Sequence, residues 1–185
     1  MITIDELRKN AIHRPGRAGT GYIKLKATID GKYCAYRFYN NEFYPRSLDQ
    51  IHTHSSTFHS ITLRGTLRNI IYDIAPTDKE TQYFLTQGKC QKEEFVNHEI
   101  IEQNVDATIS REFTTSVGES YTLESDIFHR IEFDTPAVIT LITPIEWATI
   151  EPYYIINREV GHLNPWNHTL SENHCWEVIR YCLNN

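Results

Sequence analysis

Apolar and polar residues alternate in short stretches along most of the chain, and turn-forming residues separate those stretches. A period of two residues places the apolar side chains of a β-strand on one face. The clearest pair of stretches flanks Asp30-Gly31, a dipeptide that favours the type I′ turn of a β-hairpin. The pattern predicts strands at 22–29, 32–39, 50–55, 58–63, 67–74, 105–115, 121–123, 128–133, 137–143 and 147–155. So many short strands indicate an all-β fold, an antiparallel barrel or jelly roll.

The alternation is weaker between Ala75 and Asn104. Residues 75–78 are predicted to form a loop. Two polar stretches, 82–86 and 91–96, then predict a hairpin that turns at Gln87-Gly88-Lys89.

A helix is predicted at each end of the chain. Thr3 and Glu6 have the spacing of a capping box ahead of a short N-terminal helix. Thr169 and Glu172 repeat that spacing ahead of residues 170–183, whose apolar positions recur on one helical face. We expect this C-terminal helix to pack on the outside of the barrel.

The chain has 185 residues and a mass of 21.7 kDa, a size that fits one domain. We predict a single domain over 1–185, with the barrel at about 20–156 and the C-terminal helix at about 170–183. A net charge of −6 and a pI of about 5.8 argue against a nucleic-acid partner. No apolar run approaches the roughly 20 residues that cross a bilayer, so no membrane partner is expected.

The N-terminus is charged and lacks the apolar segment of a signal peptide. No cysteine pair has C-x-x-C spacing, which fits free thiols in a reducing compartment. The four cysteines are Cys34, Cys90, Cys175 and Cys182. These features predict a cytoplasmic protein.

The candidate chemistry lies in three histidines. His52 and His54 are two residues apart, so on a strand both imidazoles project from one face. His129 lies in a later predicted strand. Imidazole suits iron, zinc, copper and nickel, and residue type alone does not distinguish them. The spacing predicts a metal site, although His52 and His54 could also share a face by chance.

The arrangement resembles the cupin superfamily, whose motifs are G-x5-H-x-H-x3,4-E-x6-G and G-x5-P-x-G-x2-H-x3-N. His52 and His54 match the histidine pair, and Gly65 matches the closing glycine of the first motif. Gly118 and His129 match the start and the metal ligand of the second. The resemblance covers about 45–145 and implies a cupin-type barrel with His52, His54 and His129 as ligands. The positions that depart from the motifs are Arg46, Phe58, Glu124, Asp126 and Phe133.

Phe58 stands where most cupins have a glutamate ligand. A site of three histidines resembles the thiol dioxygenases and the diketone-cleaving dioxygenases within the superfamily, which hold Fe(II). The stretch from His129 to Glu132, followed by Pro136-Ala137-Val138, is similar to the third-ligand region of cysteine dioxygenases. By the same resemblance, Arg37 corresponds to an arginine that holds a substrate carboxylate.

The resemblance to cysteine dioxygenases has a clear gap. Those enzymes carry a serine, a histidine and a tyrosine along one face of the following strand, where this chain has Ile139, Leu141 and Thr143. The gap argues against oxidation of cysteine itself. The resemblance also raises a crosslink between Cys34 and a tyrosine, against the simpler interpretation of Cys34 as a free thiol.

Strand register decides which further residues face the site. The motif spacing favours Phe58 and Ser60 on the inside, with His59 facing away. A shift of one residue would instead bring His59 in as an extra ligand or an acid–base group. Further candidates for substrate contact are Phe128, Tyr121, Arg64 and Arg68, with Tyr121 and Glu132 also candidates for orienting an imidazole.

The predicted function is a mononuclear metal-dependent oxygenase that uses Fe(II) and O₂ on a small organic substrate carrying a thiol or a carboxylate. One alternative is a non-catalytic cupin module that binds a metal or a small molecule. Another is a zinc, manganese or nickel cupin that isomerises or hydrolyses its substrate. The resemblance also implies a homodimer.

Overall fold

The computed structural model describes residues 2–17, 22–40, 51–91, 94–157 and 170–185, without the side chains of Arg17 and of 88–102. Short helices stand at both ends, α1 at Ile4–Asn10 and α2 at Glu172–Asn184. The strands are β1 (Gly16–Arg17), β2 (Ile23–Ile29), β3 (Lys32–Asn40), β4 (Ser56–Arg64), β5 (Leu67–Pro76), β6 (Tyr83–Gln91), β7 (Glu94–Thr115), β8 (Ser120–Leu123), β9 (Phe128–Glu132), β10 (Ala137–Trp147) and β11 (Tyr153–Asn157).

The strands form two antiparallel sheets. One has six strands in the order β1-β2-β3-β10-β4-β8, and the other has five in the order β11-β6-β7-β5-β9. Asp30 and Gly31 both have positive φ, at 49° and 75°, as the predicted type I′ turn between β2 and β3 requires. The prediction of an all-β fold with antiparallel strands and a helix at each end is confirmed.

Strand β3 is buried on both faces, which explains its aromatic sequence. Cys34, Tyr36 and Phe38 face a core that the two helices cover. Arg37 and Tyr39 alternate with them and face the interior between the sheets. The C-terminal helix therefore packs on the outside of the six-stranded sheet, as predicted, through residues that include Cys175, Trp176, Val178, Ile179 and Cys182.

The N-terminal capping box is confirmed, since Thr3 Oγ1 accepts from Glu6 N and Glu6 accepts from Thr3 N. At the second helix the prediction is wrong about the cap. Ser171, not Thr169, is the N-cap, and its hydroxyl accepts a hydrogen bond from His174 N at 3.2 Å. Thr169 lies outside the described residues. Serine and threonine both favour the N-cap position, so capping preference alone does not fix where this helix begins.

Three strand predictions outside the His52–His54 stretch differ from the structure. The polar hairpin does not turn at 87–89, because β6 continues to Gln91 and pairs with a 22-residue β7. Gly88 lies inside that pairing, next to a register shift, where a glycine commonly marks a bulge. The predicted loop at 75–78 is partly strand, because β5 reaches Pro76. The stretch 147–155 is two strand ends separated by residues 148–152.

Among the described residues, no helix is both long enough and apolar enough to cross a lipid bilayer. The homodimer, the cytoplasmic location and the absence of a nucleic-acid partner stay predictions.

Burial should make three of the four thiols unreactive. Burial raises the pKa of the Cys34 and Cys175 thiols, and it raises the pKa of Cys182 to about 12. Since the thiolate is the nucleophile, we expect iodoacetamide at pH 8 to leave these three cysteines unmodified in the native protein. Peptide mass mapping before and after unfolding in guanidinium measures this. Rapid native alkylation of Cys182 would contradict the packing of α2.

Candidate metal centre

The three histidines meet where the chain preceding β4 lies between β9 and β11, the two edge strands of the five-stranded sheet. The stretch 51–55 is not the continuous strand that was predicted, and only His52 forms isolated bridges, to His129 and Tyr154. His52 and His129 exchange backbone N–H···O hydrogen bonds of 3.0 Å in both directions. His54 N donates to Ser125 O at 2.9 Å. These bonds hold both ends of the histidine pair against β9 and the turn before it.

The three imidazoles form one compact cluster. One ring nitrogen from each of His52, His54 and His129 lies within 4.8 Å of the others. Their ring centroids are 4.8 to 5.0 Å apart. His52 and His129 are buried, and His54 is half-buried. The predicted convergence of three histidines is therefore observed.

Two of these rings point nitrogen to nitrogen. His54 Nε2 and His129 Nε2 are 2.7 Å apart. Two ring nitrogens that bind one tetrahedral zinc ion at about 2.0–2.1 Å are roughly 3.3 Å apart, so these two rings converge on one point and a small outward shift would let both hold one cation. Burial, the other histidines and Arg37 lower the pKa of His54, and burial, His52 and Arg37 lower that of His129. Both side chains are thereby kept neutral, which is the state that binds a metal.

Asn69 orients the third histidine. Its side-chain Oδ1 lies 3.3 Å from His129 Nδ1. If His129 Nδ1 carries the proton and donates it to this oxygen, the lone pair of Nε2 points at His54 and is free for a metal. Asn69 is fully buried on β5, and its Nδ2 has no hydrogen-bond partner among the described residues. Asn69 was not predicted as a site residue, although a polar residue among the apolar positions of 67–74 could have indicated one.

Phe58 lies beside the cluster, as the favoured register requires. Its side chain is 1% exposed, and its ring meets that of His54 edge to face at 4.8 Å. His59 points to the other face of β4, where Nδ1 lies 3.4 Å from Thr122 Oγ1. Within the described residues, no cysteine, aspartate or glutamate joins the three histidines. The candidate ligand set therefore consists of three imidazoles without a carboxylate or a thiolate.

Arg37 faces the same interior. Its guanidinium carbon lies 5.1 Å from the Tyr22 ring centroid and 5.3 Å from that of Phe58. It also interacts electrostatically with the hydroxyls of Tyr39 and Tyr121. Arg37 is only 9% exposed, and no carboxylate of the described residues lies within 4.0 Å of it.

Two buried hydroxyls lie on the same inner face of the six-stranded sheet as Arg37. Thr140 is the cross-strand partner of Arg37, and Ser60 on β4 is opposite Ile142, two residues further along β10. Both are fully buried. In the described part of the chain, Arg37 Nε, Ser60 Oγ and Thr140 Oγ1 have no hydrogen-bond partner. These three side chains form a polar seam across β3, β10 and β4, and Phe58 on β4 contacts both Arg37 and His54.

Strand β10 contains Ile139, Leu141 and Thr143, the positions that were compared with the serine, histidine and tyrosine of cysteine dioxygenases. Ile139 and Leu141 pack towards the helices, whereas Thr140 and Ile142 face the interior. The inward positions therefore hold no histidine or tyrosine. Cys34 also lies on the helix side of β3, opposite to Arg37, where its thiol donates to Ala27 O at 3.5 Å.

Other candidates lie away from the cluster. Phe128 packs on the opposite side of β9 from His129, near Tyr153 at 6.4 Å. Arg64 donates to the carbonyl of Leu183 in α2. Arg68 and Glu132 pair with each other at 3.1 Å on the outer face of the five-stranded sheet. Tyr121 is half-buried and contacts Phe58 rather than an imidazole, at 6.2 Å between ring centroids.

A search of solved structures finds distant likenesses. They include hydroxypropylphosphonic acid epoxidase from S. wedmorenis in complex with fosfomycin, at 13% identity and TM-score 0.41, covering 71% of this chain and 55% of that one. Oxalate decarboxylase from Bacillus subtilis has 12% identity and TM-score 0.39, with 74% and 29% coverage. A cupin-2 domain containing protein from Shewanella frigidimarina has 14% identity and TM-score 0.35, with 78% and 95% coverage.

This chain spans about half the length of the epoxidase chain. TM-scores below 0.5 at such identities assign it to none of these families. No family model and no curated protein matches the sequence.

Proposed function

We propose that this protein is a mononuclear metal-dependent oxygenase in which His52, His54 and His129 bind one Fe(II) ion. The observation that supports this proposal is the cluster itself, three imidazoles with ring nitrogens within 4.8 Å of one another. The three histidines would hold the ion without a charged ligand, and the ion would supply redox chemistry with O₂.

The surrounding side chains have separate roles in this proposal. Arg37 binds an anionic group of the substrate, with Ser60 and Thr140 as hydrogen-bond donors beside it. A carboxylate fits this seam, because it accepts several hydrogen bonds and neutralises the buried guanidinium. Phe58 and Tyr121 form an apolar wall that keeps water from the substrate. The result is a small organic substrate with its anionic end at Arg37 and its reacting end at the histidines.

Asn69 has a positioning role, because it orients His129 through Nδ1. Replacing Asn69 with leucine should leave the imidazole free to rotate or to change tautomer. We expect metal affinity to fall about 10- to 100-fold, the range found when hydrogen-bond partners of metal-binding histidines are removed. Isothermal titration with Co(II) measures this. Asn69→Asp, which can still accept from Nδ1, should retain most of the affinity, and equal losses in both variants would contradict this role.

Oxygen uptake tests the proposed function. Metal-free protein is reconstituted anaerobically with Fe(II), and O₂ consumption is followed with a panel of small carboxylates, thiols and diketones. We expect uptake with at least one carboxylate-bearing compound, and its loss in His54→Ala. Stoichiometric iron without uptake on any compound would overturn the oxygenase and favour a binding module. Tight binding of zinc, manganese or nickel, together with substrate turnover in the absence of O₂, would favour an isomerase or hydrolase.

A further inference from the structure

A cleft opens between the two sheets at the edge strand β8. It has a volume of about 800 Å³ and lies where β7 leaves the five-stranded sheet and the chain crosses to β8. Its apolar walls come from Ile71, Phe113, Tyr121, Leu123 and Ile127. This volume is within the roughly 300–1,000 Å³ of small-molecule sites, and such sites are mostly apolar.

Tyr121 separates the cleft from the interior site. Its ring packs edge to face on Phe113, on the cleft side, with centroids 5.2 Å apart. It also packs edge to face on Phe58, which in turn contacts His54. Arg37 lies against the same Phe58 ring, with its guanidinium carbon 5.3 Å from the ring centroid. One half-buried side chain thus belongs both to the cleft wall and to the surroundings of Arg37.

The positions of these groups indicate a ligand with two chemically different ends. Within the described chain, the interior end holds a buried cation that no carboxylate neutralises, with unpaired hydroxyls beside it. An isolated buried charge is costly, so this end is complementary to an anion. The other end is an open cleft with an apolar wall and a charged rim, which holds Glu119, Glu124 and Arg111, the last with its guanidinium 5.2 Å from the Phe113 ring centroid.

We propose that the cleft between β7 and β8 binds the apolar body of the substrate, an amphipathic carboxylate whose anionic end Arg37 holds, and that Tyr121 is the gate between the two subsites. The anionic end of this inference rests on the role proposed above for Arg37. The apolar cleft narrows the proposed substrates from small carboxylates in general to carboxylates with an aryl or long alkyl body. Short carboxylates and small aminothiols leave the cleft empty.

Tyr121 must move for such a molecule to reach Arg37 from the cleft. Its ring packs on Phe113 towards the cleft and on Phe58 towards the interior, so a molecule that spans both parts displaces it. Tyr121 is therefore a specificity-determining residue, and it touches both parts of the bound molecule.

Binding of three probes to the metal-free, full-length protein tests the inference. The probes are 4-phenylbutyrate, butyrate and 4-phenylbutan-1-ol, and isothermal titration calorimetry measures their affinities. We expect 4-phenylbutyrate to bind at least tenfold more tightly than either of the others, which corresponds to about 1.4 kcal/mol. Equal affinities for 4-phenylbutyrate and butyrate would overturn the binding of an apolar body in the cleft. Equal affinities for 4-phenylbutyrate and the alcohol would overturn the anionic end.

A matched pair of variants tests where the apolar body of the substrate binds. Phe113→Ala removes an aromatic wall of the cleft and should weaken 4-phenylbutyrate about tenfold while leaving butyrate unchanged. Phe128→Ala is the control, since Phe128 is also half-buried on the five-stranded sheet but packs outside the cleft. Thermal melting checks the fold of both. If Phe113→Ala does not fold, Phe113→Leu replaces it, with an expected loss of about threefold. The same loss in Phe128→Ala would overturn the assignment to the cleft.

The two proposals fail separately. Metal binding and O₂ uptake without preference for the phenyl probe would remove the cleft subsite and leave the oxygenase. A clear phenyl preference that Phe113→Ala abolishes, in a protein that binds no metal, would leave the two-part site and remove the oxygenase.

Discussion

His129→Ala is expected to lower the affinity for Fe(II) and Co(II) at least 100-fold. His129 supplies a buried ring nitrogen to the cluster and is 1% exposed, so no solvent-accessible group can replace it without rearrangement. Two imidazoles from His52 and His54 remain, and two ligands do not hold a hard or borderline divalent ion against water at micromolar concentrations. Titration with Co(II), followed by its visible absorption and by competition with a chelator, measures the loss.

His59→Ala is the matched control for that experiment. His59 lies on β4, seven residues after His52, but points away from the cluster towards Thr122. Its loss should leave the metal affinity unchanged within about twofold. A His129→Ala protein that keeps its affinity would show that the three histidines do not form the metal site. An equal loss in His59→Ala would show that the register of β4 is different.

Arg37→Met should have opposite effects on stability and on ligand binding. Arg37 is a buried cation without a carboxylate partner in the described chain, and the cost of its desolvation is several kcal/mol. Contacts with the rings of Tyr22 and Phe58 offset part of this cost. Methionine keeps the unbranched stem and removes the charge. We expect the metal-free variant to gain about 1–2 kcal/mol in unfolding free energy, which raises Tm by roughly 2–8 °C.

The same substitution should abolish binding of carboxylate ligands. Without the guanidinium, the affinity for 4-phenylbutyrate is expected to fall to that of 4-phenylbutan-1-ol. Differential scanning calorimetry and titration calorimetry on one preparation give both results. Arg68→Met is the control, because Arg68 is exposed and paired with Glu112 and Glu132; it should change neither property appreciably. A destabilised Arg37→Met that still discriminates carboxylates would contradict both the burial argument and the anion site.

Spacing along the chain was sufficient for the parts of the site that depend on one strand or one motif. His52 and His54 share a face because of their separation by two residues, and His129 was found at the ligand position of the second motif. Gly65 occupies a conformation with φ of 71°, and a Cβ there would collide with the Ala137 carbonyl, so the closing glycine of the first motif has a steric reason.

Other parts could not be predicted, because they depend on contacts between distant strands. The partner of His129 is Asn69, 60 residues earlier, and pairing of β5 with β9 brings them together. Thr140 joins Arg37 through pairing of β3 with β10. Alternation alone leaves open which face of a buried strand is inside, so Ile139 and Leu141 were compared with site residues although they face the helices.

The sequence by itself determined the all-β class, the first hairpin, the helix at each end and the three histidines, because each depends on local periodicity, turn chemistry or fixed spacing. Only the tertiary structure decided that Phe58 faces the cluster while His59 does not, that Arg37 is buried beside unpaired hydroxyls, and that a cleft opens next to Tyr121. The physical reason is that sheet register and burial are set by packing between two sheets, a property that no single stretch of sequence carries.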